Sequence, residues 1–332
     1  MRLPIDGRAH LLLAALCVAI AQSLCPAACA QEWPTAPVQL VVPFPPGGTV
    51  DRLARSLAPA LERLGGKPVS VENRPGGAGT VSVAKAAPDG HTILLQSSTV
   101  ISFSDFALSD PRFDAEHDFA GVTAVAAIPL MLIVNPDRYK SVEQLVTDAK
   151  AGKATYATLG PRSPAAIAAL HLFKSAGIPA AKAIPFRSVQ GALDAVTASQ
   201  VDFFFAPLAA TRPFLQGGPL QALATSSSKR SVFAPDIPTL GEIGYKESAY
   251  DEWIGVFVPK ATPSATIQRI YQLLARVMEA IQRDRDQLGV DSFPLTPDGV
   301  DNLIRINQRG VYQGQVGNPM EGQPPAETPP KK

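Results

Sequence analysis

The sequence predicts an α/β protein of two lobes with mainly parallel sheets. Short β-rich runs alternate with amphipathic helical patterns along the chain. The 332 residues suffice for two domains of about 100–200 residues each. Two apolar strands, at 127–134 and 253–258, stand where a middle stretch of chain would interrupt an outer one. One lobe inserted into another is a hinge-capable design with a ligand cleft between its parts. No Gly/Ser/Pro-rich linker divides the chain and no fixed repeat is present. The boundaries read are a leader at 1–30, a first lobe at 31–126 and 254–318, a second lobe at 127–253, and a disordered tail at 319–332 that is rich in Pro, Gln, Glu and Lys.

The elements follow in order. Residues 38–42 form an apolar strand, then Pro43 to Gly48 a loop, then a helix with Leu53, Leu57, Leu61 and Leu64 on one face, ended by Gly65-Gly66. A strand at 69–71 leads through the glycine-rich stretch 73–79 into a short helix at about 81–87, and a strand at 92–95 follows. Ser141 opens a helix with Gln144 completing a capping box. After a strand at 155–158, Ser163-Pro164 is an N-cap with proline at the first helical position, and that helix runs towards Gly177. Strands at 183–186, 201–205 and 220–225, and helices at 189–198 and 267–281, complete the reading.

Composition excludes several classes. The chain is 46% hydrophobic with 30 basic and 29 acidic residues, so it is not disordered, and a net charge of +1 lacks the basic face of a nucleic-acid binder. Arg2 and Arg8, the apolar run 11–20 and the small residues Ala28-Cys29-Ala30 have the layout of a cleaved secretory signal, giving a mature start at Gln31. The run is about half the length a membrane-spanning helix needs. Cys17, Cys25 and Cys29 all lie in this leader, so the mature chain has no disulfide and no thiol chemistry. The expectation is a soluble, exported, periplasmic protein.

Chemistry concentrates in the strand-to-helix corners. Gly47-Gly48 lets backbone approach a ligand, Thr49 is a plausible N-cap, and the helix start offers free N–H groups and a positive dipole end, or is a bare tight turn. Asp51 in its first turn is a candidate carboxylate, or a partner of the dipole. The segment Thr158 to Ser163, with Gly160 and Arg162, repeats this physics in the second lobe, although ordinary capping by Ser163 would also account for it. Ser97, Ser98 and Thr99 follow a strand, where open α/β sheets place their ligands, or are polar filler. Phe186 and Arg187 end another strand; Arg187 can pair bidentately with a carboxylate or stand as surface charge. Gly77-x-Gly79 lacks the third glycine of a dinucleotide fingerprint, and neither a Walker pattern nor a Gly-x-Ser-x-Gly elbow is present. His91, His117 and His171 are too scattered for a zinc site. The expectation is no enzyme, no cofactor and no metal.

Three dense blocks carry a family resemblance. These are Trp33-Pro34 with Val38 through Pro43-Phe44-Pro45-Pro46-Gly47-Gly48-Thr49-x-Asp51, then Val71-Glu72-Asn73-Arg74-Pro75-Gly76-Gly77-Ala78-Gly79, then Ala84-Lys85-Ala86-Ala87-Pro88-Asp89-Gly90-His91-Thr92. With Ile184-Pro185-Phe186-Arg187, Gln200-Val201-Asp202 and Pro235-Asp236-Ile237-Pro238-Thr239-Leu240, the chain closely resembles the Bug-type solute-binding receptors of tripartite tricarboxylate transporters over about 33–300. The resemblance implies a type II periplasmic binding-protein fold, a Venus flytrap with two crossings between lobes. It implies a receptor that closes on a small organic carboxylate and delivers it to a membrane permease; the alternative is a periplasmic ligand sensor that hands its liganded state to a signalling partner, and a monomer is expected in either case. It assigns ligand contacts to Phe44, Gly47, Gly48, Thr49 and Asp51, to Ser97, Ser98 and Thr99, and to residues 158–163. Family members commonly carry Gly-Asn-Gly-Thr where this chain has Gly160-Pro161-Arg162-Ser163, with Ala166 and Ala206 as further departures. Pro161 removes an N–H donor and Arg162 adds a cation.

Overall fold

The computed structural model describes residues 33–102, 113–179, 181–215 and 217–312. The leader and the tail lie outside them. The first half of the chain builds β1 (Val38–Val42), α1 (Thr49–Gly65), β2 (Val69–Asn73), α2 (Gly77–Ala84), β3 (Thr92–Ser97), α3 (Ser98–Ser102), α4 (Ala115–Asp118) and β4 (Phe119–Ile128). Then come β5 (Leu130–Val134), α5 (Val142–Lys150), β6 (Thr155–Thr158), α6 (Pro164–Ala176), β7 (Lys182–Pro185), α7 (Val189–Thr197), β8 (Phe203–Pro207), α8 (Leu208–Leu215) and β9 (Gln221–Thr225). The chain finishes with β10 (Glu252–Pro259), α9 (Ser264–Ala280), α10 (Gln282–Leu288) and α11 (Pro297–Tyr312).

Two five-stranded sheets result, ordered β2-β1-β3-β10-β4 and β7-β6-β8-β5-β9. In the first, β1, β2 and β3 are parallel and β10 runs antiparallel between β3 and β4. In the second, β6, β7 and β8 are parallel, with β5 antiparallel to β8 and β9. Each sheet has its own apolar core: Leu40, Leu53, Leu57, Leu61 and Val256 belong to one, Leu132, Tyr156, Leu172, Phe203 and Phe205 to the other. The chain crosses from the first sheet to the second at Pro129 and returns between β9 and β10.

The single strand expected at 127–134 is therefore two strands in two different sheets. Proline has no N–H to give a ladder, so the apolar run breaks at Pro129 while both flanks stay buried. The early part of β4, where Gly121 packs against Val300, escaped the sequence reading, as did α10 and α11. The short helix begins earlier than expected, at Gly77, because Gly79 sits directly over the Arg74 carbonyl, where any Cβ would collide.

Local chemistry fixes the helix ends. Gly66 closes α1 in the left-handed conformation, its N–H donating to the Glu62 carbonyl. Ser141 accepts from the Gln144 N–H, while the Gln144 side chain accepts from Lys140 N–H rather than from Ser141. Ser163 caps α6 at Ala166 N–H, with Pro164 at the first helical position, and Gly177 closes the helix.

Candidate functional site

Register places every predicted corner at one end of its sheet. Glu252 pairs with Ile128 and Ile254 with Ser97, so the carboxyl ends of β1, β2 and β3 lie beside both crossings. Leu130 pairs with Pro207, and Thr158 with Pro185, so the carboxyl ends of β6, β7 and β8 border the same crossings from the other side. The edges where open α/β sheets bind ligands thus both adjoin the hinge.

At the first corner, Gly48 and not Thr49 is the N-cap; Thr49 is already helical. A glycine cap has no side-chain acceptor, so no side chain caps the first turn of α1. Phe44 is half-buried on the first core, and its carbonyl accepts from Asn73 Nδ2 at 3.2 Å. Gly47, at φ +87°, donates its N–H to Asp51 Oδ2 at 2.8 Å. Asp51, 2% exposed, also accepts from Asn73 Nδ2 at 2.9 Å and pairs with Arg55 at 3.0 Å. Burial opposes its charge, but the bonds from Arg55, Gly47 and Asn73 outweigh burial and hold its pKa below the usual carboxylate value. Asp51 therefore ties the loop to β2 and α1, and its oxygens are committed to protein donors.

Ser98 and Thr99 are buried and face inward. Ser98 Oγ donates to Glu252 Oε2 at 2.9 Å and accepts from Trp253 N–H at 3.1 Å. Thr99 Oγ1 lies 2.5 Å from the same oxygen and 2.5 Å from the Tyr250 hydroxyl, which itself donates to Glu252 at 2.6 Å. Ser97 Oγ accepts from Val100 N–H at 3.4 Å. Each hydroxyl has one proton, and those of Ser98 and Thr99 are spent within this cluster. Burial pushes the Glu252 carboxyl up, with the hydroxyls offsetting part of it, and burial beside Glu252 drives Tyr250 well above its ordinary value. The sequence reading missed Tyr250 and Glu252; an acidic residue abutting the apolar run 253–258 was the available signal. The Tyr250 ring also meets His171 of α6 at 5.6 Å between centroids, which connects the second lobe to the cluster. Burial, aided by Lys174, lowers the His171 pKa.

Because the folded Glu252 binds its proton more tightly than the unfolded chain, stability falls as pH rises from about 4.5 through the raised value and is fully present below that window. Glu252→Gln keeps an acceptor for the hydroxyls but cannot titrate. Its unfolding free energy, followed by denaturant titration, is expected to lose this downward slope; a variant with the parental slope would clear Glu252 as the source.

The second-lobe corner is also internally bonded. Thr158 Oγ1 donates to the Gly160 carbonyl at 2.6 Å, Ser163 Oγ does so at 2.9 Å, and Gly160 N–H returns to Thr158 Oγ1 at 3.2 Å. Gly160 takes φ +123°, a conformation other residues avoid. Phe186 N–H joins Thr158 carbonyl at 2.7 Å, so the ends of β6 and β7 are stitched side by side. Arg162 and Arg187 extend from these adjacent ends, exposed and without a hydrogen bond or ion pair among the described residues. Several other arginines are engaged: Arg74 with Glu72, Arg138 with Asp202, Arg230 with Glu242. No group of three His, Cys, Asp or Glu side chains among the described residues could hold a metal ion.

Residues 53–300 match the family described as the tripartite tricarboxylate transporter family receptor. The chain belongs to this receptor family. BugT of Bordetella pertussis is 34% identical over 265 residues, covering 76% of this chain and 78% of BugT. Among solved structures, the periplasmic binding protein BugD is 27% identical with a TM-score of 0.68, over 86% of this chain and 99% of BugD. MatC of Rhodopseudomonas palustris, solved with bound malate, is 25% identical with a TM-score of 0.64, over 83% of this chain and 98% of MatC. Within the tripartite receptors, the two sheets and two crossings seen here correspond to the two lobes of a solute-binding protein.

Proposed function

We propose that this receptor captures a small organic carboxylate between the α1 corner of the first lobe and the β6–β7 corner of the second, and delivers it to a tripartite tricarboxylate permease. The observation that carries this reading is the pair of unpartnered guanidinium groups, Arg162 and Arg187, on adjacent strand ends beside the hinge. A guanidinium fork matches a carboxylate in shape and charge. The uncapped first turn of α1 supplies backbone N–H groups and a positive dipole end from the opposite lobe. With Ser97, Ser98, Thr99, Thr158 and Ser163 bonded internally, charge and backbone carry recognition in place of hydroxyls. The relatives' periplasmic setting supports export, with the leader at 1–30 removed.

Binding to the native state alone stabilises it by about 2.7 kcal/mol at a hundredfold excess over Kd. The test is mass spectrometry of solute released on denaturing protein purified from its native compartment, followed by thermal unfolding with that solute. A carboxylate that raises Tm is expected. Protein that emerges empty and shows no Tm shift with a broad panel of mono-, di- and tricarboxylates would refute the reading.

A further inference from the structure

A cavity of about 730 Å³ lies far from the cleft. Its walls are Trp33 and Pro34 at the start of the described chain, Leu64 in the last turn of α1, Lys67 just beyond it, and Arg269 and Arg276 of α9, with Thr35, Gly65, Gln272 and Leu273 between them. The 17 residues of α1 separate it from the corner at Gly48 by about 25 Å. It therefore sits at the opposite edge of the first sheet, where β1 and β2 begin: Val38 N–H bonds the Pro68 carbonyl beside Lys67.

Three cations line this cavity and no acidic residue does. Lys67, Arg269 and Arg276 have no hydrogen bond or ion pair among the described residues. Arg269 and Arg276 are two turns apart on one face of α9, about 10 Å along the axis, with Gln272 between them. Side chains of that length can reach a group held midway, and Lys67 lines the same cavity. A carboxylate is satisfied by one guanidinium fork. Three cationic donors from two elements suit an anion with more oxygens and more charge. Leu64, Leu273, Pro34 and the Trp33 ring add an apolar wall for the rest of such a molecule. The volume is that of a small-molecule site.

We propose that this cavity is a second anion site, separate from the carboxylate cleft, and that it takes a phosphate ester. The phosphate sits among Lys67, Arg269 and Arg276, and the organic body lies against Trp33 and Leu273. Two sources share this chemistry: the headgroup of an anionic phospholipid and a soluble phosphate ester. The cavity lies at the end of the first sheet away from the strand-to-helix corners, so either can reach it without the cleft opening.

The experiment uses the mature chain and an Arg269→Gln/Arg276→Gln variant. Both positions are exposed, so the variant is expected to keep the parental Tm. Calorimetry with glycerol 3-phosphate tests the soluble source. Co-sedimentation with phosphatidylglycerol–phosphatidylethanolamine vesicles, against phosphatidylethanolamine alone, tests the lipid source. Binding in either arm, weakened at least tenfold in the variant and by raised salt, supports the site and names its source. No binding in both arms, or binding that the variant leaves intact, overturns it. So does retention on polyglutamate alone, which would make the cavity a contact for an acidic polypeptide.

Discussion

An Arg162→Ala/Arg187→Ala variant is expected to lose carboxylate capture while remaining folded. A hydrogen bond to a charged group contributes about 1.5–3 kcal/mol, and each 1.4 kcal/mol is about tenfold in affinity. Removal of both forks should weaken binding by about a hundredfold or more in calorimetry with the solute released from the native protein. Both side chains are exposed and unpartnered, so stability should stay within about 0.5 kcal/mol of the parent. The single variants separate the two roles. Arg187 follows directly on the strand end stitched to Thr158, whereas Arg162 stands in the loop before α6. Affinity unchanged in the double variant would move the ligand's acid group to α1 alone.

Asp51→Ala is expected to have the largest effect on stability. The substitution strips acceptors from Gly47 N–H, Asn73 Nδ2 and the Arg55 guanidinium at once. Breaking a buried pair costs about 3–5 kcal/mol. The lower end applies because the Arg55 side chain is 53% exposed and can recover water. A loss of about 3 kcal/mol corresponds to a fall of about 5 °C in Tm, at about 2.1 cal/mol/K of unfolding entropy per residue over about 300 residues. Asp51→Asn keeps the shape and should recover part of that loss. Denaturant unfolding decides it, and a change below 0.5 kcal/mol would show that the carboxylate does not fasten the corner.

Much of this architecture was legible because its signals are local. The leucine spacing of α1, the Gly66 stop and the Ser163-Pro164 start of α6 each lie within a few residues of what they fix. The corners at Gly47-Gly48 and at 158–163 were legible for the same reason. The roles of the hydroxyls were not. Whether Ser98 faces a ligand or a carboxylate depends on Glu252, 154 residues away, and no periodicity encodes that pairing. Asp51 shows the same limit, since a first-turn acid reads alike whether it meets the dipole or collects Asn73 from β2. The break at Pro129 was readable in principle, but eight consecutive apolar positions resemble one strand until pairing separates them. Residues 297–312 form a helix that packs on β4, and its surroundings come from chain more than 170 residues earlier.

The position of β10 has a consequence for how the chain is made. The second lobe's five strands lie consecutively between Leu130 and Thr225, so that half can complete its sheet as soon as it has emerged. The first lobe cannot: β3 and β4 flank a slot that is filled only when residues 252–259 arrive. Until then two strand edges stand open, and closing them requires a loop of more than a hundred residues, a slow and aggregation-exposed step. The lobe synthesised first is thus the last to be finished, and a truncation before Glu252 should leave a sound inner lobe attached to an outer one that is still missing its central strand.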